Sequence, residues 1–236
     1  MPPTLLALGA HYDDCVFGVP GLLVKAVRRG YRVVLLALIG DYSNFAPAAG
    51  REAALREGSV ALCAAHGAEL RFLDFKSQHY EVTAETKASV ARAVLDVRPD
   101  VALTLWPHDR HADHGPAARL SETALRHAGT LLGALDYRPP RRLYAYDNGP
   151  RHTVGFEPDV YVDVTAEWAE ATAWLEALMA LAYGAGGAAA GGAVALKTTL
   201  AAYRGAACGV AYAEALRALG AYPQEILEIL DGAGGG

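Results

Sequence analysis

Short apolar runs alternate along this chain with longer amphipathic stretches. Thr4–Gly9 (TLLALG) is continuously apolar, the pattern of a strand buried on both faces. Residues 17–29 (FGVPGLLVKAVRR) set Leu22, Leu23, Val24 and Val27 at helical spacing and close on basic residues. Residues 31–39 predict a second strand, Glu52–Ala65 a helix stopped by Gly67, and residues 70–75 a third strand. Residues 83–97 read as a helix with a Thr-x-x-Thr start, closed by Arg98 and Pro99. Residues 101–106 (VALTLW) predict a fourth strand, broken by Pro107. Beyond it, residues 116–129 predict a helix, residues 143–146 and 160–164 strands, and residues 165–183, 195–204 and 211–219 helices.

The β-α-β-α-β-α-β order between Thr4 and Trp106 is that of an α/β protein with an open, mainly parallel, Rossmann-like sheet and helices on both faces. At 236 residues the chain stands between one and two domains of about 150 residues each. No internal repeat or linker divides it. The expectation is a single domain over 1–236, with a Rossmann-like core at 1–130 and a C-terminal α/β elaboration at 131–236. That elaboration includes a Gly/Ala-rich loop at 184–193.

Composition narrows the function classes. With 53% apolar and 20% charged residues the chain is not disordered. Its 21 Lys+Arg against 26 Asp+Glu, net −5, argue against a nucleic-acid partner. Cys15, Cys63 and Cys208 form no pair spacing, so neither a disulfide framework nor a zinc finger is expected. Residues 177–196 are uncharged but hold five glycines and few strongly apolar side chains, so no integral membrane segment is expected there. The opening residues carry no basic leader and reach Asp13 quickly, so a cytoplasmic chain without a signal peptide is expected, with residues 231–236 a frayed tail. Neither G-x-G-x-x-G nor a Walker sequence is present.

Eight histidines do change the picture, because His11, His108, His111 and His114 fall in two short segments. In parallel sheets ligands bind at the C-terminal ends of strands. Here the first strand ends at His11-Tyr12-Asp13-Asp14 and the fourth at residues 108–114 (HDRHADH), so two loaded loops leave one edge. A catalytic zinc takes three His or Asp/Glu ligands and keeps a position open. His11, Asp14 and His114 could supply that set, with Asp13 a free carboxylate placed to deprotonate water. His111 and Asp113 form a second pair, in which the carboxylate could orient the imidazole for acid work. His108 competes for ligation but lies nearer the strand end and is expected to shape the pocket. Taken singly, an Asp after a strand more often caps a helix and a lone His is more often structural. Two clusters converging on one edge favour chemistry. His66, His79, His127 and His152 have no carboxylate-rich surroundings in sequence and default to structural or surface roles.

The opening TLLALGAHYDD with Gly18 and Gly21-Leu22-Leu23 resembles the start of the LmbE-like (PIG-L) zinc-dependent N-deacetylases, whose hallmark is AHPDDE. Residues 107–114 are similar to that family's HxDH segment. Further matches are Arg56-Glu57, Gly67, residues 157–163 (EPDVYVD) and the stretch from Arg204 to Glu214. The resemblance implies one Zn2+ per chain on His11, Asp14 and His114, with Asp13 as general base. It implies His111 as partner acid held by Asp113, with Arg141 or Arg142 supporting Asp113. Arg56 would lie near the substrate, and Tyr212 would polarise the amide carbonyl. The implied reaction removes acetyl from an N-acetylated amino sugar or N-acetylglucosamine conjugate, a small-molecule substrate, in a homo-oligomer. Iron or manganese could replace zinc on such ligands.

Two positions depart from the family pattern. Tyr12 replaces the proline, where its phenol could line the pocket and bind substrate, and Cys15 replaces the glutamate. Cys15 could be a thiolate ligand, but three ligands suffice without it, which favours a small buried thiol. These departures keep open a metal-binding small-molecule binding or regulatory protein that has lost catalysis. A metal-dependent hydrolase of another bond is a further alternative. The loops at 41–50 and 184–193 are the candidates for setting substrate choice.

Overall fold

The structure, a computed structural model, describes residues 2–185 and 188–223. The strands are β1 (Thr4–Gly9), β2 (Arg32–Asp41), β3 (Ala68–Lys76), β4 (Val101–Leu105), β5 (Arg142–Tyr146), β6 (Val160–Asp163) and β7 (Ala213–Ala218). The helices are α1 (Asp14–Gly18), α2 (Pro20–Arg28), α3 (Glu52–Ala65), α4 (Ala84–Val97), α5 (His114–Leu132), α6 (Trp168–Tyr183) and α7 (Ala188–Cys208). All seven strands form one sheet in the order β3-β2-β1-β4-β5-β7-β6. β3, β2, β1, β4 and β5 run parallel; β7 pairs antiparallel with both β5 and β6.

Every residue of β1 is buried, and β2 is buried from Val33 to Gly40, so the apolar runs serve a sheet covered on both sides. α4 and α5 pack together, with α5 against β1 and β4, while α2, α3 and α6 form the other layer. Thr83 opens α4 with a capping box: its side chain accepts from Thr86 N–H, and the Thr86 side chain accepts in return.

Three expectations of the pattern are corrected. The helix expected over 17–29 is two helices, because Pro20 starts α2 and ends the run of α1 at Gly18. The loop expected at 184–193 is shorter: residues 188–193 are the first turns of α7, whose alanines are strong helix formers, and residues 186 and 187 lie outside the described residues. Residues 211–219, rich in Ala, Leu and Glu, carry a helical pattern, yet 213–218 form β7. Placement between two strands overrides the propensity. Its Glu214 is buried and accepts from the amides of Gly21 (2.9 Å) and Leu22 (2.7 Å) at the start of α2, with Lys197 Nζ 3.6 Å away. The expected tail at 231–236 also lies outside the described residues. Among the described residues no helix is long and apolar enough to cross a membrane.

Candidate active site

Five parallel strands deliver their C-terminal ends to one edge, and each supplies part of a cavity of about 590 Å³. β1 leads into His11, Tyr12, Asp13 and Asp14; β2 into Tyr42, Asn44 and Phe45; β3 into Ser77 and Gln78. β4 precedes His111 and His114, and β5 precedes Asn148, Arg151 and His152. Helices α6 and α7 close the remaining side.

Asp14 is the centre of this arrangement. Its Oδ2 accepts from the His11 amide (2.7 Å) and lies 3.2 Å from His11 Nδ1. Its Oδ1 lies 3.2 Å from His114 Nε2 and accepts from Asn148 Nδ2 at 2.7 Å. Gly9 allows this: a Cβ there would stand 2.7 Å from Asp14 Cβ. The far nitrogen of each imidazole meets a second carboxylate, His11 Nε2 at 3.1 Å from Asp113 Oδ2 and His114 Nδ1 at 3.0 Å from Asp109 Oδ2. Asp113 in turn accepts from Ser77 Oγ and from the Gln78 amide, both at 2.7 Å. Gln78 holds that amide in place from a left-handed backbone, φ 61°.

His111 is different. Its ring stacks on His114 with centroids 4.6 Å apart, and its nearest carboxylate oxygen, Asp113 Oδ2, is 3.9 Å from Nδ1. Nδ1 accepts instead from the Asp113 amide (3.3 Å), which puts the proton of the neutral ring on Nε2. The Asp113 carboxylate therefore bonds His11 more closely than His111, while the Asp113 amide is what orients the His111 ring.

Electrostatics follow from these contacts. Burial alone would lower His11, but the Asp14 charge and bonds from Asp113 and Asp14 raise it to about 10. Burial is likewise outweighed at His114, raised to about 9 by Asp14 and Asp109. His111 falls to about 4 through burial and the charges of His11 and His114. Asp13 rises to about 6 through burial and the charge of Asp14. At Asp113 burial works upward, yet His11, Ser77 and the Gln78 amide bring it down to about 2.

His11, Asp14 and His114 suit a divalent ion: both imidazoles point a nitrogen at one carboxylate, and each is backed by another carboxylate, as ligating histidines commonly are. The three rings of His11, His111 and His114 also offer nitrogens within 4.8 Å of one another, so His111 is a further donor at the same point.

Several sequence candidates stand elsewhere. His108 is exposed, packs on Trp106 at 5.5 Å and does not line the cavity. Arg56 lies over the Phe72 ring at 5.2 Å, and Tyr212 stacks on Trp168 at 4.8 Å; neither lines it. Arg141 and Arg142 sit at the opposite end of β5, where their amides bond Asp100 O. Cys15 is buried beneath the site with its thiol 3.5 Å from Tyr146 Oη, and burial pushes it up, so it stays protonated. Tyr12 does line the cavity, buried, with no partner for its hydroxyl among the described residues. Asn148, His152 and Asp109, together with Ser77 and Gln78, are residues that sequence reasoning misses; His152 lies 5.9 Å from both His111 and His114. The positional signal for Asn148 and His152 is that they follow the strand predicted at 143–146, which the structure places beside β4 at the same edge.

Fold and site together define an α/β protein with a His/Asp cleft at the C-terminal edge of a parallel sheet. The chain belongs to the family described as PIG-L, GlcNAc-PI de-N-acetylase, which matches residues 6–125. It is similar to the conserved protein TT1542 of Thermus thermophilus (24% identity, TM-score 0.79, covering 94% of this chain and 97% of that one). It is similar also to GalB, the 4-carboxy-2-hydroxymuconate hydratase of Pseudomonas putida KT2440 (21%, TM-score 0.80, 94% and 98% covered). A third likeness is to N,N'-diacetylchitobiose deacetylase from Pyrococcus horikoshii (18%, TM-score 0.76, 92% and 83% covered). At these identities the likenesses establish the fold.

Proposed function

We propose that the chain is a metal-dependent N-deacetylase acting on an N-acetylated amino sugar or its conjugate. The observation that carries this reading is the convergence of His11 Nδ1 and His114 Nε2 on the two oxygens of Asp14, each 3.2 Å away, with Asp13 the adjacent carboxylate. PIG-L membership supports amide hydrolysis over the water addition named for GalB, since the shared fold houses both.

A divalent ion held by His11, Asp14 and His114 would supply Lewis acidity toward the acyl oxygen and toward water. Asp13, raised to about 6 by burial and the Asp14 charge, would take a proton from the attacking water near neutral pH. The water oxygen bonds to the acyl carbon, and the amine nitrogen receives that proton from Asp13 as the C–N bond breaks. Acetic acid leaves, its remaining proton passing to solvent to give acetate. His111, neutral at pH 7 with its proton on Nε2, is suited to hydrogen-bond the oxyanion that develops. Asp113 and Asp109 hold the two ligating rings in orientation.

The test is metal content together with acetate release from N-acetylglucosamine derivatives, wild type against Asp13→Ala. The expected outcome is that both bind metal and only the wild type releases acetate. A metal-loaded wild type inert on a broad amide panel, or active only in hydrating unsaturated acids, would replace this reading.

A further inference from the structure

We propose that Lys197 and Glu214, a buried pair behind the cleft, are positioning residues that aim Asp13 and Asp14. This rests on the deacetylase reading for what those two carboxylates do, and adds how the chain holds them in place.

Asp13 and Asp14 stand at the start of α1, a helix of five residues. So short a helix is not stable by itself, because nucleation costs more than one turn of bonds returns. Among the described residues, Asp13 and Val19, which precede α1 and α2, make no side-chain capping bond. The anchorage comes from far along the chain. Lys197, buried on α7, donates through Nζ to the Gly18 carbonyl, in the last turn of α1 where carbonyls lack intrahelical partners. Glu214, buried on β7, accepts from the Gly21 amide at 2.9 Å and the Leu22 amide at 2.7 Å, where α2 starts. The two side chains lie 3.6 Å apart, Nζ to Oε1, so one pair grips both sides of the α1–α2 junction. Each charge faces the helix end that favours its sign.

The junction sets the position of the carboxylates ahead of it. Gly18 is pressed on its neighbours: a Cβ there would stand 2.2 Å from the Tyr146 ring and 3.1 Å from Asn148 Oδ1. Tyr146 Oη donates to the Leu8 carbonyl at 2.9 Å, and Asn148 Nδ2 donates to Asp14 Oδ1 at 2.7 Å. A shift of Gly18 therefore displaces Asp14 relative to its own donor. The Phe17 amide bonds the Asp13 carbonyl at 2.7 Å, which ties Asp13 to the same turn. The Lys197 charge also reaches buried Asp147, the residue before Asn148.

Stability alone does not account for this pair. Taking two charges out of water costs about what their attraction returns, and apolar side chains of similar volume serve a core as well. Apolar side chains cannot bind a carbonyl and two amides at fixed points.

The experiment compares the full chain with Lys197→Met, Lys197→Met/Glu214→Gln and Val94→Ala. Val94 is buried in α4, which lines no part of the cleft among the described residues. Two readouts are taken: backbone hydrogen exchange over residues 13–23 relative to β2, and kcat and KM of acetate release with zinc bound. Lys197→Met is expected to speed that relative exchange by about tenfold. It is expected to lower kcat by about 10–100-fold with KM near wild type. The double variant removes the unpaired charge left on Glu214, so it should regain part of the lost denaturation midpoint without regaining kcat. Val94→Ala is expected to lower the midpoint alone. Unchanged relative exchange in Lys197→Met overturns the proposal. So does a kcat that returns with the midpoint in the double variant, or that Val94→Ala lowers as much. If the wild type releases no acetate, the deacetylase reading fails and exchange alone decides. Faster exchange confined to 13–23 then sustains the anchor, and unchanged exchange overturns it.

Discussion

His11 and His111 lie with ring centroids 4.7 Å apart, yet the fold drives them in opposite directions, one to about 10 and the other to about 4. Both are removed from water, which by itself disfavours the charged ring. The difference is carboxylates. His11 touches Asp14 and Asp113, one on each nitrogen, and His114 touches Asp14 and Asp109. His111 sits between those two rings and feels their charge without a close carboxylate of its own. Adjacent imidazoles thus divide into two paired with carboxylates on both nitrogens and one without such pairing.

The contrast collapses most completely if its shared carboxylate goes. Asp14→Ala is expected to lose bound metal and to bring acetate release to background, measured by elemental analysis and a coupled acetate assay. Removing one backing carboxylate should damage one side only. Asp113→Asn and Asp109→Asn are each expected to weaken metal affinity by about 10–100-fold in competition with a chelator.

The pH dependence of the metal-free chain sharpens the same comparison. His11 and His114 have folded pKa values of about 10 and 9, above the 6.5 of an unperturbed imidazole. Their stabilisation is complete below about pH 6.5 and is lost as pH rises through 9 and 10. His111, at about 4, contributes stability that grows as pH rises from 4 to 6.5, while Asp13, at about 6, loses it over nearly the same window. Those two offset. Buried Asp147 and Glu214, raised by desolvation, also lose stability as pH rises. The Tm of chelator-treated protein is therefore expected to decline toward high pH, most steeply where His11 and His114 deprotonate. Adding zinc at pH 7.5 should release about two protons, one from each backed ring, read from buffer-dependent calorimetric enthalpies. A smaller change is expected from Asn148→Ala, which strips one donor from buried Asp14. It should cost about 1–3 kcal/mol, seen as a lower denaturation midpoint at unchanged m-value.

Legibility in the sequence follows the range of the interactions. β1 to β4 and α3 are readable because each carries its own period, and Glu52–Ala65 matches α3 at both ends. β7 is not, since Ala213–Ala218 has helical propensity and becomes a strand through partners on either side. The two loops that carry His11 to Asp14 and His111 to His114 are legible because they follow obvious strands. The partnership between His11 and Asp113, 102 residues apart, is not, because sequence proximity favours His111. The departure at Tyr12 is visible, but its unpartnered hydroxyl emerges only once Tyr42 Oη is seen to take the Tyr12 amide instead (2.9 Å).

β7 has a consequence in time as well as in space. Among the described residues β6 joins the sheet only through β7, so residues 160–163 pair with no other described strand until residues 213–218 insert. The same insertion brings Glu214 to the amides of Gly21 and Leu22, contacts spanning 193 and 192 residues. Closing so long a loop is slow and comes after local pairings such as β1 with β2. The parallel strands can therefore assemble early, whereas the start of α2, just behind the His11–Asp14 loop, is locked by the last strand to arrive. Maturation of the cleft is tied to the end of folding rather than to its beginning.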